Sequence, residues 1–108
     1  ANHRIQRFDA DGACLGVFGG MGAEPGCTQF PYQIALAPDG TLLVCEYGTH
    51  RISRFSPEGR FIACTGAAGR RPGEFNGPRG VAVSDGGRVF VADTDNHRVQ
   101  CFELEALS

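Results

Sequence analysis

The sequence predicts an all-β protein assembled from repeated four-stranded antiparallel units, and three observations carry that expectation. A tetrapeptide recurs as Asn2-His3-Arg4-Ile5, Thr49-His50-Arg51-Ile52 and Asn96-His97-Arg98-Val99, so its histidines stand 47 residues apart at positions 3, 50 and 97. The register extends past the motif: Phe8 matches Phe55 and Phe102, Gly12 matches Gly59, Gly19 matches Gly66, Pro31 matches Pro78, Ile34 matches Val81 and Gly40 matches Gly87. Between these landmarks, short runs rich in Val, Ile, Leu and Phe are broken by Gly, Pro and Asp turn signals, the pattern of strands rather than helices.

Each period holds four strands, lettered a to d. Strand a is Tyr32 to Ala37 and again Gly80 to Ser84, each ahead of an Asp-Gly or Gly-Gly turn. Strand b is Leu42 to Tyr47 and Val89 to Thr94, nearly continuous apolar runs that call for cover on both faces. Strand c, Arg51 to Phe55 and Arg98 to Phe102, alternates, with one side expected to face the next layer and the other to face water. Strand d, Cys14 to Phe18 and Phe61 to Thr65, follows the turns Asp9-Ala10-Asp11-Gly12 and Ser56-Pro57-Glu58-Gly59 and runs into a long glycine-rich loop.

Four antiparallel strands in a period of this length make a β-propeller blade. The chain reads as a partial propeller with strand order c, d, a, b, c, d, a, b, c: a partial blade at 1–30, a full repeat at 31–77 and a partial blade at 78–108. Such a segment leaves strand edges and blade faces bare, so further blades in cis or a second copy of the chain are expected to cover them.

Composition excludes several classes. The formal net charge is −2 and all ten cations are arginine, which is not a general electrostatic footprint for nucleic acid. No apolar run approaches the ~20 residues that cross a bilayer, so no membrane contact is expected, and the opening residues lack the apolar core of a secretory signal. The five cysteines, Cys14, Cys27, Cys45, Cys64 and Cys101, are odd in number and contain no C-x-x-C pair, signalling neither a disulfide framework nor a zinc site. Most of them read as small buried apolar residues in strands, and their odd number leans towards a cytoplasmic compartment.

The stretch Gly73-Glu74-Phe75-Asn76-Gly77-Pro78-Arg79-Gly80-Val81-Ala82-Val83, followed by Val89-Phe90-Val91-Ala92-Asp93-Thr94-Asp95-Asn96-His97-Arg98-Val99-Gln100, closely resembles the NHL repeat. The first full copy departs from that pattern, with Glu46 for Asp93, Thr49 for Asn96, and Pro31 directly after Phe30. The resemblance implies a radial arrangement of blades, six to the parent ring, which at this period needs about 280 residues.

Antiparallel connectivity sorts the loops. The b-to-c and d-to-a loops share one rim, which should present Arg70, Arg71 and Arg79 beside Tyr47, Thr49, Asp95 and Asn96, with Met21, Glu24 and Tyr32 from the neighbouring loop. Tyr32, Tyr47, Arg70, Arg71 and Arg79 are the candidate binding residues. His3, His50 and His97 occupy one repeat position, which favours a structural role shared with Arg4, Arg51, Arg98, Asp93 and Asn96 over a metal site. No nucleophile elbow, Walker A loop, H-E-x-x-H or calcium loop is present, so no catalytic residue and no cofactor are expected.

The leading expectation is a noncatalytic scaffold that binds a protein partner through its rim. RNA is the second partner class, since the resemblance extends to animal proteins of the TRIM class that use the equivalent rim for RNA or protein. Two alternatives also follow from the resemblance. One is part of a metal-dependent lyase like peptidyl-hydroxyglycine amidating lyase, and the other is an extracellular sensor module of a bacterial protein.

Overall fold

A computed structural model describes residues 4–8, 10–19 and 31–108, and within them the chain forms nine strands in three antiparallel sheets. β1 (Arg4–Phe8) pairs with β2 (Cys14–Gly19). β3 (Pro31–Leu36), β4 (Leu42–Glu46), β5 (Arg51–Phe55) and β6 (Phe61–Thr65) form a meander in chain order. β7 (Gly80–Val83), β8 (Arg88–Asp93) and β9 (Arg98–Glu103) form the third sheet. In the lettering above these are c-d, a-b-c-d and a-b-c: the architecture is all-β and its sheets are propeller blades.

Pairing repeats with the period. Val44 lies opposite Ile34 and Ser53, and its equivalent Val91 lies opposite Val81 and Gln100. The turns repeat as well. At 37–41, 56–60 and 84–88 the first residue's amide bonds the carbonyl four residues on, while the fourth, a glycine with φ of 88°, 91° and 83° respectively, donates back to the first carbonyl. Only glycine adopts that left-handed backbone without strain, which is why Gly40, Gly59 and Gly87 recur there.

The middle sheet is the centre of the molecule. Successive β-strand residues face opposite sides, yet Leu43, Val44 and Cys45 are all fully buried. On one side Val44 and Phe55 pack against Ile5 of the first sheet. On the other, Leu43, Cys45 and Ile52 pack with Val81, Val89 and Val91 of the third sheet, Phe75 of the 66–79 loop and Leu107. Leu107 belongs to a closing 3-10 turn (Leu104–Leu107) that the repeat pattern gives no sign of. Its carbonyl accepts a 3.1 Å hydrogen bond from Arg54 Nη1.

Three expectations are corrected. Strand b is covered on both faces only in β4. In β8, Val89 and Val91 are buried but Phe90 is 39% exposed, because among the described residues no sheet lies on that side of the third blade. Strand c shows the expected alternation in β9, whereas β5 is buried along its whole length. Layers on both sides enclose Arg51, Ser53 and Arg54, and each hydrogen-bonds, as buried polar groups must. Finally, Cys45 is buried, but Cys14, Cys64 and Cys101 are exposed on edge strands that no other described residues cover. Cys27 lies outside the described residues, as does His3.

Candidate functional site on the loop rim

The recurring residues of the b-to-c turn form a polar clamp. In the third sheet its centre is Asp93, a fully buried carboxylate. Asp93 Oδ1 accepts from the Asn76 amide at 2.7 Å, and Oδ2 accepts from Arg98 Nε at 2.8 Å, Asn96 Nδ2 at 2.9 Å and Gln100 Nε2 at 3.1 Å. Burial pushes the Asp93 carboxyl up, but these hydrogen bonds outweigh it and hold the group below the ordinary carboxylate value.

The same side chains reach outward to the 66–79 loop. Asn96 Nδ2 donates to the Gly69 carbonyl at 2.8 Å, Arg98 Nη2 donates to the carbonyls of Arg71 and Glu74, and Gln100 Nε2 donates to that of Glu74. The loop closes on itself through the amides of Gly69 and Phe75, while Phe75 is sunk in the core with 1% exposure. A loop of this length thus becomes a rigid shelf rather than a free connection.

The equivalent clamp in the middle sheet uses Glu46. Its carboxylate accepts from Thr49 Oγ1 at 2.9 Å, Arg51 Nε at 3.1 Å and Ser53 Oγ. Glu46, Thr49, Arg51 and Ser53 stand one period before Asp93, Asn96, Arg98 and Gln100. The departure from the motif therefore keeps the acceptor at the centre and changes its reach by one methylene.

His50 and His97 both hold φ of 55°, an uncommon backbone for a residue with a side chain. The His97 amide closes its turn on Thr94. His50 acts across the layers: its Nδ1 accepts from the Gly77 amide at 3.0 Å, tying the middle sheet's turn to the loop that leads into the third. Among the described residues no three His, Cys, Asp or Glu side chains converge in a way that could hold a metal ion.

Gly77 and its neighbours carry the exposed part of the site. Gly77 has φ of +57°, and a Cβ there would meet the Asp95 carboxylate and lie 2.9 Å from the Tyr47 ring. Pro78 is fully buried, and the Arg79 amide bonds the Ala92 carbonyl at 3.2 Å, fixing the backbone at the head of β7. The Arg79 guanidinium lies 5.3 Å from the centroid of the Tyr47 ring and 5.9 Å from that of Tyr32, within cation–π range of both. The two rings are 6.4 Å apart, and Tyr47 in turn lies 6.5 Å from the His50 ring. The neighbouring Tyr47 is the main reason the already high Arg79 value is raised further, with Asp95 contributing its charge.

Of the five rim residues named from the sequence, the structure brings Tyr32, Tyr47 and Arg79 together. Arg70 and Arg71 are exposed elsewhere on the shelf, where the Arg71 backbone bonds Glu74 and Arg98. Met21 and Glu24 lie outside the described residues. Sequence reasoning missed Gln100, whose only signal was its place one period after Ser53, and Gln33, whose Oε1 accepts from the Val81 amide at 2.8 Å to join β3 to β7. A cleft of about 480 Å³ opens beside Tyr32, lined also by Arg4, Ile5, Gln6, Pro31, Gln33 and Ile34.

Comparison with known families agrees with the geometry. A family model described as NHL repeat matches residues 75–102, the stretch that holds Arg79 and the whole Asp93 clamp. No curated protein matches the chain.

Proposed function

We propose that this chain, a member of the NHL-repeat family, is a noncatalytic interaction scaffold that engages a protein partner through its loop rim. The observation that carries the reading is the exposed Tyr32–Tyr47–Arg79 cluster. It joins Tyr32 at the start of β3, Tyr47 in the turn after β4 and Arg79 in the loop ahead of β7, and Tyr32 is 61% exposed although nothing in the fold requires a large aromatic there. Rigid aromatic side chains and arginine are the groups that dominate protein interfaces, because they offer large contact area at small entropic cost. The shelf beneath them is braced by the Asp93 clamp, so binding would not have to order it first.

RNA is the weaker reading. The chain carries a net charge of −2, and the acidic side chains Glu74 and Asp95 sit among the rim arginines, which opposes a polyanion.

Affinity capture with quantitative mass spectrometry tests the proposal, comparing the wild-type chain with a Y32A/R79A double variant and with E58Q/D85N, which alters the opposite rim. A specific partner should be lost with the first variant and kept with the second. Partners retained by Y32A/R79A, or lost only with E58Q/D85N, would overturn the rim assignment.

A further inference from the structure

Building on the rim reading above, we infer that the Tyr32–Tyr47–Arg79 cluster captures a carboxylate side chain from an acidic segment of the partner. Four arginines are already committed to carboxylates: Arg51 to Glu46, Arg54 to Asp39, Arg88 to Glu103 and Arg98 to Asp93. Arg79 belongs to none of the described ion pairs, and it is exposed. Yet it is held more firmly than a free surface arginine, by two rings and by its own bolted backbone.

Stacking uses the faces of a guanidinium, whereas carboxylate recognition uses the fork of N–H groups along its edge, so one arginine can do both at once. None of the described ion pairs takes up this fork, which leaves it to a ligand. The positioning also lowers the entropic cost that makes most surface ion pairs nearly worthless.

Charge selects the class of ligand. Asp95 adds its negative field at Arg79, so the site suits a single carboxylate and resists a chain of phosphates. The recognised element is therefore an Asp or Glu in an exposed peptide.

A displayed random heptapeptide library panned on the purified chain tests this. The best peptide, its version with Asp or Glu changed to Asn or Gln, and a uridine decamer are then titrated against wild type, R79Q and R79K, with circular dichroism confirming that the variants fold. The expected result is enrichment of acidic peptides, with about tenfold or greater loss of affinity on neutralising either the peptide acid or Arg79, the scale of one charge-assisted hydrogen bond. R79K should recover only part, since it keeps the charge without the planar fork.

Peptides that need Tyr32 or Tyr47 but show no acidic preference and no response to R79Q would overturn this inference while leaving the rim as the binding surface. An RNA decamer that outcompetes the acidic peptide would overturn it in favour of phosphate recognition. Failure to enrich any rim-dependent peptide would sink both this inference and the rim reading.

Discussion

Replacing Asp93 with asparagine tests the clamp that organises the rim. The carboxylate accepts at both oxygens, with the Asn76 amide on Oδ1 and three donors on Oδ2. An amide has one oxygen and one NH2 group, so no orientation serves both sides. The better orientation keeps oxygen towards Arg98, Asn96 and Gln100 and turns NH2 against the Asn76 amide, stranding a donor. A stranded buried donor costs about 1–3 kcal/mol, and the lost charge weakens the Arg98 bond as well. The Arg98 side chain keeps 31% exposure, so water offsets part of that second loss.

Together these give a destabilisation of about 3 kcal/mol, read by urea denaturation followed by circular dichroism. Hydrogen exchange at Asn76 and Gly77 should quicken in parallel, because the stranded amide belongs to the shelf itself. Burial raises the Asp93 value and the hydrogen bonds lower it further, leaving a folded value below the ordinary 3.8. Its contribution is therefore present above that value and disappears as pH falls through the folded one, and D93N should flatten this part of the acid limb. A loss below about 1 kcal/mol with unchanged exchange at Asn76 would refute the view that the carboxylate braces the loop.

Other positions give equally direct outcomes. Gly77→Ala should cost about 1–2 kcal/mol by urea denaturation, since a Cβ there enters a left-handed residue and collides with Asp95. Arg54→Ala removes bonds to Thr41, Asp39 and the Leu107 carbonyl. Because Asp39 is half-exposed, the expected loss is about 2–3 kcal/mol, with faster hydrogen exchange at residues 104–107 as its local sign. Burial, aided by the adjacent Glu46 charge, pushes the Cys45 thiol up to about 12. Alkylation at about pH 8, read by peptide mass spectrometry, should therefore mark exposed Cys14, Cys64 and Cys101 while sparing Cys45 until the protein unfolds.

The strands and their order were legible because each is short, bounded by turn residues and repeated, so local pattern and period reinforce one another. Val44 and Val91 could be aligned before their partners were known. The burial of Arg51, Ser53 and Arg54 was not legible, because it depends on layers contributed from both directions and not on anything within β5. The exposure of Phe90 escaped notice for the converse reason: its run looks as apolar as that of Leu43, and only the neighbouring sheet distinguishes them. On the rim, connectivity alone placed Tyr32, Tyr47 and Arg79 on one side. That His50 would reach across to Gly77 required the two loops to be seen at their actual separation. Leu107 offered no periodic signal at all, since it lies beyond the last repeated strand.

The turn at 56–60 differs in kind from the shelf at 66–79. Its bonds close almost wholly on itself: the Ser56 amide to the Arg60 carbonyl, the Gly59 amide back to Ser56, and the Arg60 amide to the Ser56 hydroxyl. The shelf, by contrast, is held by side chains from strands far along the chain. Foreign sequence inserted between Pro57 and Glu58 should leave the blades standing, since exposed turns tolerate insertion where few outside bonds depend on them. The opposite rim thus offers a handle on which a reporter or tether could be mounted, facing away from the proposed binding rim.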